Sequence, residues 1–118
     1  EVYLNSEWEK NPQQELRLST FDIDVTPPVG SPLAYDISIR KWDLGLRAKG
    51  VVLQGTGLPI VMCAIDWLAI GNEGMDEFRR ALAAAVGSTP ERVSVNVLHQ
   101  HDAPRFDAEQ NKFFWKQE

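Results

Sequence analysis

A strand, a helix and a second strand follow one another between residues 60 and 98, and this order constrains the fold more than any other feature. Segment 60–67 opens with Ile-Val-Met-Cys-Ala-Ile, an apolar run typical of a central strand that is covered on both faces. Segment 93–98 alternates valine with other residues, which favours a strand. The segment between them, 73–86, has an apolar stripe at helical spacing: Met75, Phe78, Leu82, Ala85 and Val86. Such a unit has parallel strands and a right-handed crossover, which predicts an α/β fold.

Residue types at both ends of the predicted helix fit their positions. Asn72 is a suitable N-cap, and the acidic Glu73 favours the positive end of the helix dipole. Gly87 is expected to end the helix at C′, and Pro90 suits the first turn of a short connection to the next strand. The interpretation of 73–86 as a helix therefore rests on its ends as well as on its stripe.

Two further strands are predicted before this unit. Segment 46–54 is separated from 60–67 by a glycine-containing turn at 55–57, which favours an antiparallel hairpin. An earlier strand begins at Leu16, but its apolar parity changes at Ser19-Thr20, so we expect a β-bulge there. The chain should thus form a mixed sheet in which a β-hairpin is followed by a right-handed βαβ unit, as a fragment of a larger α/β domain.

The regions outside this pattern are assigned as follows. Residues 1–15 are expected to be a loosely held N-terminal extension, with docking on the core through Tyr3, Leu4 and Trp8 as the alternative. Residues 16–105 form the α/β domain, within which 33–44 is interpreted as a long loop. Residues 106–118 form a C-terminal segment that could be helical. Its three adjacent aromatic residues cannot all face one small core, so we expect them to be covered by something else: Phe113, Phe114 and Trp115.

Composition excludes several classes of partner and structure. A net charge of -5 argues against binding to nucleic acid or to an anionic membrane surface. Cys63 is the single cysteine and lies in an apolar run, so we expect a buried thiol and no disulfide. The longest apolar run, 58–70, is interrupted by Pro59 and Asp66 and is shorter than the roughly 20 residues of a membrane span. Because the chain starts at Glu1 without an apolar leader, we expect any signal peptide to be absent from it, and a secreted or periplasmic location.

The two histidines of the chain, His99 and His101, follow the second strand of the βαβ unit. In an extended chain residues i and i+2 point to the same side, so the strand period should direct both imidazoles into one pocket. Because parallel strands end at the same edge of a sheet, Asp66 is expected beside them, and either Asp66 or Asp102 could orient an imidazole. A His-x-His pair on a strand can supply two zinc ligands, whereas catalytic zinc usually has three protein ligands and an open position. By spacing alone, an incidental pair is favoured over a metal site by about two to one. The position at the end of a parallel strand, with acidic residues nearby, makes the two interpretations about equally favoured.

Four segments, in matching order and spacing, resemble the N-terminal portion of the neutral/alkaline ceramidase family. They are FDIDVTPPVG at 21–30, LRAKGVVL at 46–53, IVMCAID at 60–66, and the stretch from Val93 to Pro104. Members of that family open with an Asp-Ile-Thr-Pro-like segment and place a strand ending in Thr-His-Thr-His-Ser-Gly-Pro at the active site. Here Leu98 and Gln100 replace the two threonines, and Asp102-Ala103 replaces Ser-Gly, which indicates a divergent branch.

The resemblance implies a zinc-dependent hydrolase that acts on a small-molecule, linear or lipid-like amide. It assigns His99 as the zinc ligand and His101 as the neighbouring group on the substrate side. The family's other ligands and its nucleophilic serine lie much further along a longer chain, so further polypeptide would complete the site. The alternative is a non-catalytic interaction or structural domain that keeps the same fold.

Overall fold

A computed structural model describes residues 15–36 and 40–106. Four strands form one mixed sheet: β1 (Arg17–Asp24), β2 (Arg47–Gln54), β3 (Ile60–Ile65) and β5 (Val93–Val97), in the order β1-β2-β3-β5. Helix α1 (Asn72–Val86) and a 3-10 turn (Pro90–Arg92) connect β3 to β5. Two short strands, β4 (Ala69–Ile70) and β6 (Arg105–Phe106), pair in parallel beyond the end of the main sheet.

The predicted topology is confirmed. β2 pairs antiparallel with β3 through the five-residue connection 55–59, and β5 pairs in parallel with β3. The described parts of the predicted loop, 33–36 and 40–44, contain no helix or strand. The expectations for residues 1–14 and 107–118 lie outside the described residues, whereas Phe106 belongs to a strand. The described residues therefore form a mixed α/β sheet with a hairpin followed by a βαβ unit.

Helix α1 differs from its sequence interpretation in two details. Its N-cap is Gly71, one residue before the predicted Asn72, and no side chain caps it. Ala85 is exposed although it was assigned to the buried stripe, and Ala83 is 2% exposed instead. The helix ends as expected, because Gly87 adopts the left-handed conformation, with a φ of 67°, that a residue without Cβ reaches easily.

One face of the sheet, here called the helix face, carries the core. Paired residues of neighbouring strands share a face, so three rows of side chains cross the sheet beneath α1. Val61 and Ile65 of β3 are fully buried there, and Phe78 of α1 packs against this core. The rows are Ser19-Val52-Val61-Val93, Phe21-Gly50-Cys63-Val95 and Ile23-Ala48-Ile65-Val97. Burial of the apolar side chains that β2, β3 and β5 contribute to these rows is the main favourable contribution to the fold.

The predicted bulge at Ser19-Thr20 is wrong. β1 pairs with β2 in one uninterrupted register from Arg17 to Asp24. Phe21 therefore lies on the helix face, whereas Leu18 lies on the opposite face, here called the open face. The parity changes because β1 has apolar residues on both of its faces. The backbone geometry does not change at Ser19-Thr20.

The expectation that β3 is covered on both sides is also wrong for the described residues. Met62 and Ile60, which point to the open face, are 45% and 40% exposed. They belong to a patch that includes Leu18 of the edge strand, which is 61% exposed. Only the helix face has a covering layer within the described part of the chain.

Candidate metal site

The two histidines lie in a loop and not on the strand. β5 ends at Val97, and residues 98–104, here called the histidine loop, connect it to β6. His99 has a φ of 59°, in the left-handed region that residues with a Cβ rarely adopt. The prediction that the strand period aligns the two imidazoles is therefore wrong in its mechanism.

Backbone hydrogen bonds hold the histidine loop against the end of β3. The N–H groups of Leu98 and His99 donate to the carbonyls of Ile65 and Trp67, at 3.0 and 3.1 Å. At the other end of the loop, the Leu68 N–H donates to the carbonyl of Pro104 at 3.1 Å. Since the fully buried Ile65 is the last residue of β3 and residues 66–68 follow it directly, the core fixes the path of the loop.

A buried side chain and a second loop complete this support. Ala103 has no exposed surface, and its carbonyl accepts a hydrogen bond from the Ala34 N–H at 3.0 Å. The contact brings Tyr35 beside His101, with ring centroids 4.8 Å apart at an angle of 51°. The loop preceding β2 thus contributes one side of the candidate site.

The two imidazoles lie together in this loop. Their ring centroids are 5.3 Å apart, and the ring planes are nearly perpendicular, at 77°. His99 Nδ1 lies 3.1 Å from the Leu68 carbonyl oxygen, which can only accept a hydrogen bond. The neutral ring consequently carries its proton on Nδ1 and has a free lone pair on Nε2.

The orienting partner of His99 is a carbonyl and not a carboxylate. Asp66 lies at the expected edge, directly after β3, but its Oδ2 accepts the Arg47 N–H at 2.9 Å. The Asp102 N–H is bonded by Gln100 Oε1 at 2.8 Å within the loop itself. Among the described residues, no hydrogen bond joins either imidazole to a carboxylate, so the predicted role of Asp66 or Asp102 is wrong.

A cleft of about 570 Å³ lies on the neighbouring side of the histidine loop. Gln100 and Asp102 line it, together with Asp66 and the loop that precedes β2. Four carboxylates border this cleft, and its wall also includes Trp42: Asp36, Asp43, Asp66 and Asp102. His99 and His101 are not among its lining residues, so the cleft is adjacent to the histidine pair and distinct from it.

Most of the shifted pKa values belong to groups of β1, β2 and β3, the exception being Glu91 of the 3-10 turn, whose pKa is lowered by hydrogen bonds from a backbone N–H and from Thr89. The Arg47 guanidinium, 2.7 Å from Asp22 Oδ1, lowers the pKa of that carboxyl. Hydrogen bonds from Thr26 lower the pKa of Asp24, which binds the turn after β1. Burial raises the pKa of the Cys63 thiol, in agreement with the expected buried cysteine. The ion pair, the Asp24 hydrogen bonds and the thiol are structural features of the sheet and of the turn after β1.

The histidine pair fits part of a zinc site. Two imidazoles on one tetrahedral ion, with Zn–N distances of about 2.0–2.1 Å, have ring centroids roughly 5 Å apart. The observed separation of 5.3 Å agrees with that arrangement. The described residues contain no group of three or more histidine, cysteine, aspartate or glutamate side chains that could hold a metal. A zinc ion held by this pair would therefore need further ligands from outside the described residues.

Sequence reasoning missed two contributors to this site. Tyr35 was assigned only to a long loop, and nothing local in the sequence connects it to His101. The Leu68 carbonyl was missed because a backbone acceptor leaves no residue-type signal. Both become visible only when the path of the loops is known.

Comparisons with known protein families, with curated proteins and with solved structures gave no match to this chain. No helix in the described ranges is long and apolar enough to cross a membrane.

Proposed function

We propose that this chain is the N-terminal, metal-binding part of a zinc-dependent amide hydrolase similar to the neutral/alkaline ceramidases. His99 is the zinc ligand in this proposal, and His101 faces the substrate. The observation that carries the proposal is the hydrogen bond from His99 Nδ1 to the Leu68 carbonyl. Histidines that bind metals commonly donate their second N–H in this way, which fixes the tautomer and the ring orientation.

The residues of the loop have separate tasks in this reaction. Zinc, when bound, would polarise the scissile carbonyl or activate a water molecule. His99 presents Nε2 as a ligand, and its left-handed backbone is held by the bond from its N–H to Trp67. His101 is exposed and lies against Tyr35, so its ring can donate a hydrogen bond to the carbonyl oxygen of an amide substrate.

The site needs further donors. A catalytic zinc usually has three protein ligands, and the pair provides at most two. We propose that carboxylate or tyrosine ligands come from outside the described residues, or from another polypeptide. The substrate in this proposal is a small, linear or lipid-like amide, and the location is secreted or periplasmic.

Metal analysis of the purified chain tests the proposal. We expect stoichiometric zinc per chain, which a chelator removes without loss of the far-UV spectrum, because the sheet does not depend on the ion. With the completing polypeptide present, His101→Ala should lower amide turnover more than it lowers zinc content. Absence of bound zinc at micromolar concentrations of free ion, both in the chain alone and with the completing polypeptide present, would contradict the proposal and favour a non-catalytic interaction domain.

A further inference from the structure

The open face of the sheet carries an apolar patch that spans three strands. Leu18, Leu53 and Ile60 form one row across β1, β2 and β3. The next row contains Val51 and Met62, beside polar residues of the two edge strands. Leu16, which is 66% exposed, extends the patch beyond the start of β1. This surface is independent of the histidine pair.

Parallel strands are normally covered on both faces, and β3 pairs in parallel with β5. Met62 of β3 is nevertheless 45% exposed, although it lies near the centre of the sheet. Apolar side chains in contiguous rows indicate a surface that a partner covers. The chemistry of the patch calls for an apolar segment with large side chains.

A second copy of the chain fits this patch poorly. With strands about 4.8 Å apart and rows about 6.6 Å apart, the patch measures roughly 15 Å by 15 Å. A stable interface buries about 800 Å² of accessible surface per partner, which is more than a patch with this footprint supplies. A segment of the same chain needs far less area, because its tether keeps its local concentration high.

Phe106, where the described C-terminal part of the chain ends, lies on the opposite side of the sheet, against α1. The ring of Phe106 packs over Gly74 of α1 so closely that a Cβ at Gly74 would collide with it. Residues after Phe106 therefore start from the layer that covers the helix face. The N-terminal segment instead enters β1 directly through Leu16, whose side chain is already part of the patch.

We propose that residues 1–14 dock on the open face, with Tyr3, Leu4 and Trp8 as their apolar anchors. Trp8 precedes Leu16 by eight residues, which span up to about 26 Å when extended. The distance across the four strands is only about 14 Å. The residue types of Asn11-Pro12 favour a turn between the two, which would allow the chain to reverse there and cross the sheet.

Proteolysis of the full chain tests this docking. A protease specific for glutamate can cut after Glu7 and Glu9, and docking should slow these cuts. Leu18→Asp places a charge in the patch, and Ser19→Asp places the same charge at the next residue on the helix face. We expect cleavage in Leu18→Asp to be about tenfold faster than in wild type, because it follows the fraction of undocked segment. Ser19→Asp should be cleaved at the same rate as wild type. Far-UV spectra should show that both variants fold.

Two further measurements identify the occupant. The triple variant Tyr3→Ser, Leu4→Ser, Trp8→Ser changes no residue of the sheet and should be cut as fast as Leu18→Asp. Protection in wild type should also be independent of protein concentration. Equal cleavage rates in wild type and the triple variant would overturn the proposal, as would an unchanged rate in a folded Leu18→Asp. Protection that disappears on dilution, together with a dimer mass by light scattering, would assign the patch to a second copy and overturn it as well.

Discussion

The helix face of the sheet and the histidine loop are stabilised by different interactions. The helix face is closed by apolar contact, with Val61 and Ile65 fully buried and Phe78 of α1 packed against them. The histidine loop is exposed at both imidazoles and is held mainly by backbone hydrogen bonds to residues 65–68. Ala103 is the one buried side chain of that loop.

The difference separates stability from chemistry. Removing apolar volume from the helix face costs transfer free energy and leaves a cavity, which lowers the free energy of unfolding. An exposed imidazole contributes little to the core, so its removal should change ligand binding and leave the fold intact. Substitutions in the two regions should therefore produce opposite patterns of effect, and the following variants are ordered by their expected effect on stability.

The largest effect is expected for Phe78→Ala. Phe78 packs against the core and forms an edge-to-face contact with Trp67, with ring centroids 5.7 Å apart. We expect the free energy of unfolding to fall by about 3 kcal/mol in a urea titration, with zinc binding unchanged. Arg80→Ala, exposed on the same helix, is the control and should cost little. A loss below about 1 kcal/mol for Phe78→Ala would show that α1 is not a covering layer.

Gly50→Ala should come second. A Cβ at this position would collide with the ring of Phe21 and the carbonyl oxygen of Met62. We expect a loss of about 2 kcal/mol, because β2 and β1 would have to move apart. Gly55→Ala is the matched control, since its Cβ would meet only Leu16 Cδ1, at 3.7 Å. Equal thermal midpoints for the two variants would contradict the close approach of Phe21 to β2.

Tyr35→Ala should have the smallest effect on stability of these three. The ring of Tyr35 is 67% exposed and contacts His101, so we expect a loss below about 1 kcal/mol. Its removal should instead shift the His101 ring resonances in a two-dimensional NMR spectrum, more than those of His99. Tyr35→Phe keeps the aromatic ring and should leave the ring resonances of both histidines unchanged. A large fall in stability would show that the contact between Tyr35 and His101 supports the core. Stability and ligand binding would then not depend on separate regions.

Local pattern was sufficient for the elements beneath the helix face. Each element has its own local signal: a continuous apolar run in β3, a stripe at helical spacing in α1, and alternating valines in β5. Gly87 marks the end of the helix. Pairing then follows from connection type, since a short turn gives an antiparallel pair and a helix gives a parallel one. These features depend on residues close together in sequence.

The remainder depends on contacts that no local pattern contains. The parity change in β1 was interpreted as a bulge because the sequence of one strand does not show that both faces of the sheet are apolar. The left-handed backbone of His99 arises from hydrogen bonds to residues after β3, and Tyr35 reaches His101 through the Ala34–Ala103 bond. The closeness of the two histidines was predicted, but the reason for it was wrong.

Zinc titration of His99→Ala beside Gln100→Ala tests the central claim most directly. Gln100 lies between the two histidines in the same loop, so its replacement controls for disturbance of the loop backbone. Calorimetry should show zinc binding in wild type and Gln100→Ala, and no binding in His99→Ala, with far-UV spectra and urea midpoints unchanged in all three. Zinc affinity in His99→Ala equal to that of wild type would contradict the assignment of His99 as the metal ligand.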